Sequence, residues 1–302
     1  MEITFLGTSG CVPTDKRNMP SVMLRFLGEY YLFDCGEGTQ RQMRLAGINF
    51  MRIDHIFITH LHADHFIGLG GLIQSMDFLE RDRPLFIHGP KGIDDTVHTL
   101  LSAGTFVLDH FEVKVNEVSE GVFLEGKQFT VSCFPTVHTN SSIGFCFEEK
   151  PHRKFLKPKA LALGIPEGPL FSKLQDGFSV EVKGRKFSPD DVLSTPITGR
   201  KVVYTGDTKA FEKLADIAKN ADVLIHDSTF SHADIENTNE ALHSTTKQAA
   251  EIAKKANVKQ LFLTHISQRY TEPKLLEEEA REIFSESYVA EDFMKVKVEK
   301  HW

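Results

Sequence analysis

The chain lacks the features that would tie it to a membrane or to an oxidising compartment. Among its 302 residues, no run approaches the roughly 18 uncharged apolar residues of a membrane span. The opening MEITFLGTSG has neither a basic start nor a long apolar stretch. It reads as the first strand of a fold, not as a signal peptide. Cysteine is scarce: Cys11, Cys35, Cys133 and Cys146 show no CxxC pairing, and Cys35 and Cys133 lie inside apolar runs. A disulfide framework is excluded, and reduced, inert thiols in a cytoplasmic protein are expected. No repeat of fixed period is found, which argues against a solenoid.

What is present fits a globular enzyme. With 41% hydrophobic and 25% charged residues, the chain can bury a sizeable core as one large domain or two small ones. The net charge of −7 argues mildly against a protein that coats nucleic acid. Residues 150–186, however, hold nine Lys or Arg against three Asp or Glu. A basic segment on an acidic body is a possible footprint for phosphate as well as a solvated loop.

Short apolar runs bounded by Gly, Pro, Asp or Asn predict strands at 3–7, 21–26, 29–35, 55–59, 84–89, 128–134, 142–148, 201–206, 223–227 and 260–265. MKVKVEK (294–300) reads as a last strand. Helices are expected at 39–47, 66–79, 93–104, 244–257 with Ser244 as N-cap, and 275–284. The alternation predicts two packed sheets with helices outside and chemistry on the loops at strand ends. The Pro/Gly-rich stretch 150–198 interrupts it. It reads as an insertion in a single domain, an arm without a second core.

The strongest local signal is THLHADH, residues 59–65. A cluster of four polar groups buried without partners would be costly, and imidazole with carboxylate suits zinc in a hydrolytic site. His60 and His62 are placed to hold one ion, and Asp64 and His65 a second. Three further candidates end separate apolar runs: His138 after SCFPTV, Asp207 after VVYTG, and His265 after LFLT. Asp207 has two oxygens and can bridge. The expected sets are His60, His62, His138 and Asp207 for one zinc, and Asp64, His65, His265 and Asp207 for the other. The remaining histidines are expected to be structural or at the surface, with His226 in IHDSTF open to an indirect role.

The HxHxDH pattern with later His, Asp and His resembles the metallo-β-lactamase superfamily. That resemblance implies a mixed α/β (α+β) fold, a four-layer αββα sandwich. A histidine at 62, where the diiron oxygen-reductase branch has Glu, favours the zinc hydrolases. FLGTSGCVPTDKRN (5–18), FDCGEGTQRQ (33–42), TGDT (205–208), HST (243–245) and GIPEGPLFSKLQDG (164–177) together resemble the ribonuclease Z family over residues 3 to about 270. The resemblance implies an endoribonuclease that trims the 3′ trailer from precursor tRNA with two zinc ions per subunit, acting as a homodimer. It implies that Asp64 accepts a proton and that His243 assists proton transfer to the leaving oxygen. Lys16, Arg17 and Asn18 would lie near substrate. The segment carrying Gly164, Pro166, Gly168 and Pro169 would belong to a tRNA-binding arm. Gly36 and Gly38 are expected in a tight turn. Rival readings are a small-molecule dizinc hydrolase of the same fold and a metal-dependent RNA-binding protein without catalysis.

Overall fold

A computed structural model describes residues 1–301 of the chain. Two compact units emerge: Met1–Glu148 with Lys201–Glu299, and Glu149–Arg200 with residues 300 and 301.

The larger unit is built on two seven-stranded sheets. The first runs, edge to edge, through Lys295–Lys297, Glu2–Gly7, Ser21–Phe26, Glu29–Phe33, Ile53–Phe57, Leu85–Gly89 and Val113–Glu117. The second runs through Ser287–Val289, Gln260–Thr264, Val223–Asp227, Lys201–Tyr204, Ile143–Glu149, Phe129–Pro135 and Gly121–Glu125. Strand alternation explains the layers. In the first sheet, Ile3, Phe5, Leu24, Phe33 and Phe57 share one buried cluster with Phe145, Tyr204 and Phe262 of the second. The opposite face of the first sheet packs Ile56 and Ile87 against Met43, Leu72 and Met76 of the helices Thr39–Leu45 and Gly68–Phe78. The second sheet packs Val203 and Leu261 against Ala249 and Ala253 of the helix Thr246–Ala256 and Leu276 of Lys274–Arg281. Helix, sheet, sheet, helix is the expected four-layer sandwich.

In each sheet the strands that feed the site run parallel: Glu29–Phe33 with Ile53–Phe57, and Lys201–Tyr204 with Val223–Asp227 and Gln260–Thr264. Parallel strands end on the same edge of their sheet, so ligands placed after them are delivered to one place. All ten expected runs form strands, and the tail adds Lys295–Lys297. The helix at 246 is capped by Thr245 and not by Ser244. The Thr245 hydroxyl accepts from Gln248 N and the Gln248 side chain accepts from Thr245 N, while Ser244 Oγ donates to Thr208 O. Gly38, at φ 77°, makes the expected turn. Gly36 instead sits where a Cβ would come within 2.3 Å of Asp64 O, so it serves close approach to the site.

The insert is more structured than its composition implies. Helices Lys157–Ala162 and Pro169–Gln175 and a hairpin pairing Val180 with Phe187 surround a small core. Ala160, Ile165, Leu174, Val180, Phe187 and Val192 form that core, where none was expected. Gly164 (φ 78°) ends the first helix. Gly168 (φ 130°) and Pro169 start the second, a Pro position that suits an N-terminus. Gly164, Pro166, Gly168 and Pro169 are all exposed.

Candidate active site

The THLHADH segment leaves the strand Ile53–Phe57 and enters the short helix Ala63–Phe66. His60 is fully buried, as is His65, whereas His62 is exposed. Asp207 follows Lys201–Tyr204, and His265 follows Gln260–Thr264 with a strained φ of 60°. A non-glycine residue held in that region marks a site over-determined by its surroundings.

Asp207 is the hub. Its Oδ2 lies 3.6 Å from His60 Nε2, 3.3 Å from His65 Nε2, 3.8 Å from His138 Nε2 and 3.1 Å from His265 Nε2. Asp64 Oδ2 lies 3.5 Å from His65 Nε2 and 3.4 Å from His265 Nε2. His62 Nδ1 faces His138 Nε2 at 3.1 Å. All seven expected ligands therefore meet, and His60, His62, His138 and Asp207 offer donor atoms within 4.8 Å of one another.

The donor set fits cations. His60 Nε2, His65 Nε2 and Asp207 Oδ1 are buried without a hydrogen-bond partner, each an omission worth about 1–3 kcal/mol if left unmet. Burial, then the charge of His65, pushes the His60 pKa well below its ordinary value, leaving a free lone pair. Burial opposes charge on Asp207, yet His265, His65 and His60 outweigh it and hold the carboxyl well below the usual range. Burial opposes charge on His65 too, but Asp207 and Asp34 push its pKa well above the ordinary value. A proton on His65 stands where a cation would be shared.

Two further carboxylates aim the ligands, and the sequence reading missed both. Asp34, at the end of YYLFD, accepts from His65 Nδ1 at 2.8 Å, from Thr59 N and Oγ1, and from Tyr204 Oη at 2.7 Å. Thr59 Oγ1 gives its proton to Asp34 and so accepts from His60 Nδ1 at 3.1 Å. Asp227, at the end of VLIHD, accepts from Thr229 N and Oγ1, Thr208 N, and His243 Nδ1 at 2.7 Å. Thr229 Oγ1 in turn accepts from His265 Nδ1 at 2.8 Å. His138 Nδ1 donates to Leu242 O at 3.2 Å. Each outer partner fixes a tautomer that turns the other nitrogen inward. The signal was an Asp ending an apolar run, as at Asp207, but a lone Asp there also reads as a turn residue.

A second tetrad, Asp207, Asp227, His243 and His265, also closes within 4.8 Å. Asp227 already serves four donors, His243 Nδ1 among them. Burial opposes a charge on His243, but Asp227 outweighs it and pushes the pKa up to about 9. Asp64 is held well below the usual carboxylate range: burial raises it, while the His265 hydrogen bond and the His65 charge lower it further. Cys11 N donates to Asp64 Oδ2 at 3.1 Å. His226 takes no part in the cluster; its Nδ1 meets Asp227 O.

The loop 16–18 corrects one expectation. Lys16 is exposed and lines a cleft of about 1030 Å³ with Gln268, Tyr270 and Lys274. Arg17 is turned inward, donating to Thr8 Oγ1 and Ala290 O. A guanidinium with internal acceptors braces the loop. Asn18 Nδ2 donates to Glu37 O.

The family described as Anti-Pycsar protein Apyc1 matches residues 1–155, and the Beta-lactamase superfamily domain matches residues 175–266. The protein of Methanothermobacter thermautotrophicus named Ribonuclease Z is 46% identical over 301 residues, covering 100% of this chain and 98% of its own length. The chain belongs to the ribonuclease Z family. The Ribonuclease Z of Archaeoglobus fulgidus is also 46% identical, over 98% of this chain and 97% of its own. Among solved structures, the human tRNase Z short form aligns over 99% of this chain and 100% of its own, at TM-score 0.74 and 29% identity. The yeast long-form RNase Z shares the fold at TM-score 0.67 and 18% identity, over 98% of this chain and 42% of its own. The family kinship spans both halves of the chain, and so the positions of all seven expected ligands.

Proposed function

We propose that the chain is an endoribonuclease that removes the 3′ trailer from precursor tRNA. It leaves a 3′-hydroxyl on the tRNA and a 5′-phosphate on the trailer. The observation that carries this reading is full-length kinship to ribonuclease Z coinciding with a cluster in which every expected ligand meets. His60, His62, His138 and Asp207 would hold one zinc ion, and Asp64, His65, His265 and Asp207 the other. Two such ions neutralise phosphate charge and acidify water near neutral pH.

The chain's own groups supply the proton traffic. Asp64, kept ionised, accepts the proton of the attacking water. His243, anchored at Nδ1 by Asp227 and charged at neutral pH, presents Nε2–H to the departing 3′ oxygen as the P–O3′ bond breaks. Asp34 and Asp227 hold the imidazoles in place throughout. Exposed Lys157, Lys159 and Lys173 of the insert, with Lys16, would contact the tRNA backbone and give salt-dependent, largely sequence-independent affinity. The family resemblance extends the proposal to a cytoplasmic homodimer. Among the described residues no helix is long and apolar enough to cross a membrane.

The test is cleavage of end-labelled precursor tRNA by the zinc-loaded protein, with product ends mapped. One cut after the discriminator base, leaving the stated ends, is expected. No cleavage of tRNA beside hydrolysis of a thioester or lactone would replace the ribonuclease with a small-molecule hydrolase.

A further inference from the structure

His243 is carried by a segment with little core of its own. Between the strand Val223–Asp227 and the helix Thr246–Ala256 the chain passes through His232–Asn237, which buries no residue, and Thr238–Ala241. Asp227 holds the imidazole at Nδ1, and backbone bonds from Phe230 N to Ser244 O and from Thr246 N to Phe230 O close the base of the segment. A carboxylate on a separate element adds a second tie from outside. Glu279, in the helix Lys274–Arg281, accepts from Ser231 Oγ at 2.7 Å, from His232 N at 3.0 Å and from Thr246 Oγ1 at 2.6 Å. Ser231 and His232 open the segment and Thr246 closes it, so one side chain ties its two ends together. Tyr270 Oη adds to the tie, accepting from Ser231 N at 2.9 Å and donating to Asp234. The helix itself is seated by buried Leu276 and Ala280.

We propose that Glu279 is a positioning residue of the reaction: by tying Ser231 and His232 to Thr246, it sets the His243 imidazole against the departing oxygen. This rests on the ribonuclease reading with His243 as proton donor. Glu279 bonds to Ser231, His232 and Thr246 and to none of the expected metal ligands. Its hydrogen bonds to Thr246, His232 and Ser231 outweigh burial and lower its pKa, so the clamp is charged and charge-assisted bonds are the strong ones.

The test is Glu279→Gln in the zinc-loaded full chain, which keeps the shape but turns an amide toward at least one donor. Two substrates separate the roles. The 3′ oxygen of tRNA leaves as an alkoxide that needs a proton, whereas the nitrophenolate of bis(p-nitrophenyl) phosphate leaves without one. Turnover of precursor tRNA should fall at least about tenfold with KM held within about twofold, and nitrophenyl ester turnover should stay within about twofold. Backbone amides of 231–246 should exchange faster. Glu282→Gln, which removes only the surface pair with Lys247, should change none of these. Combined with His243→Ala, Glu279→Gln should add no further loss. Equal losses on both substrates, unchanged tRNA turnover, or an additive loss in the double variant would overturn the proposal. If the parent cuts no precursor tRNA, the ribonuclease reading is what fails. Glu279 is then judged by amide exchange and by a ribodinucleotide, whose leaving sugar oxygen needs the same proton.

Discussion

Asp34 and Asp227 do the same geometric task on two sides of one site, for different clients. Each is fully buried, Asp34 just after a strand and Asp227 as the last residue of one, and each accepts from a threonine hydroxyl that in turn accepts from a histidine. Asp34 steadies His60 and His65, both expected ligands. Asp227 steadies one ligand, His265, and one histidine outside the ligand sets, His243. On the proposed reading, Asp34 therefore serves metal binding alone, whereas Asp227 couples metal binding to the proton donor. What an orienting group contributes depends on what its histidine faces.

The largest effect should come from removing what both sides share. Asp207→Ala leaves the Nε2 atoms of His60, His65, His138 and His265 without their common carboxylate, and it should abolish cleavage and zinc binding together, read by metal analysis and turnover. Asp64→Ala should also stop turnover while costing precursor tRNA binding far less; comparable losses in both would remove its role as proton acceptor.

Next comes the pair itself. Asp34→Asn should lower zinc affinity about 10–100-fold, and excess zinc should restore much of the activity. Asp227→Asn should lose activity that excess zinc does not restore, because His243 loses the partner that keeps it charged. Equal rescue of both variants would erase the distinction.

Smaller effects separate the surface from the supports. Lys157, Lys159 and Lys173 changed together to Ala should weaken tRNA binding at low salt and reduce the log–log salt slope by about one per lost phosphate contact. Arg17→Lys should leave that slope alone and lower the melting temperature, since it breaks buried hydrogen bonds. Least of all, Thr245→Ala should cost about 1 kcal/mol of stability through the lost cap.

Acid should also act away from the site. His88, buried beside His55 at 3.1 Å, has its pKa pushed down to about 3 by burial and by His55. Its folded pKa lies below the unfolded value of about 6.5. The unfolded chain therefore binds more protons, and stability falls as pH drops from about 6.5 toward 3. His88→Gln should flatten that part of the profile in denaturant titrations.

The THLHADH cluster was legible because scarce histidines crowd together after an apolar run, whereas His138, Asp207 and His265 gained weight only through the family resemblance, and parallel strands deliver such strand ends to one edge. The sheets were legible because their apolar runs were short and sharply bounded. Edge strands such as Val113–Glu117 and Gly121–Glu125 escaped, since their exposed, charged positions dilute the pattern. The core of the insert escaped for a related reason: Ala160, Ile165 and Leu174 are scattered among lysines and glycines. Arg17 was misread because loop composition does not tell which way a side chain turns. Asp34 and Asp227 were hidden by their own chemistry, because their partners lie 25 to 170 positions away for Asp34, and a single Asp after a strand ordinarily makes a turn.

The most direct test counts zinc ions by native mass spectrometry in the parent and in His243→Ala. Two ions per chain in both is the predicted result, with precursor tRNA cleavage lost only in the variant. One ion in His243→Ala would contradict it, and would make Asp207, Asp227, His243 and His265 the true second ligand set.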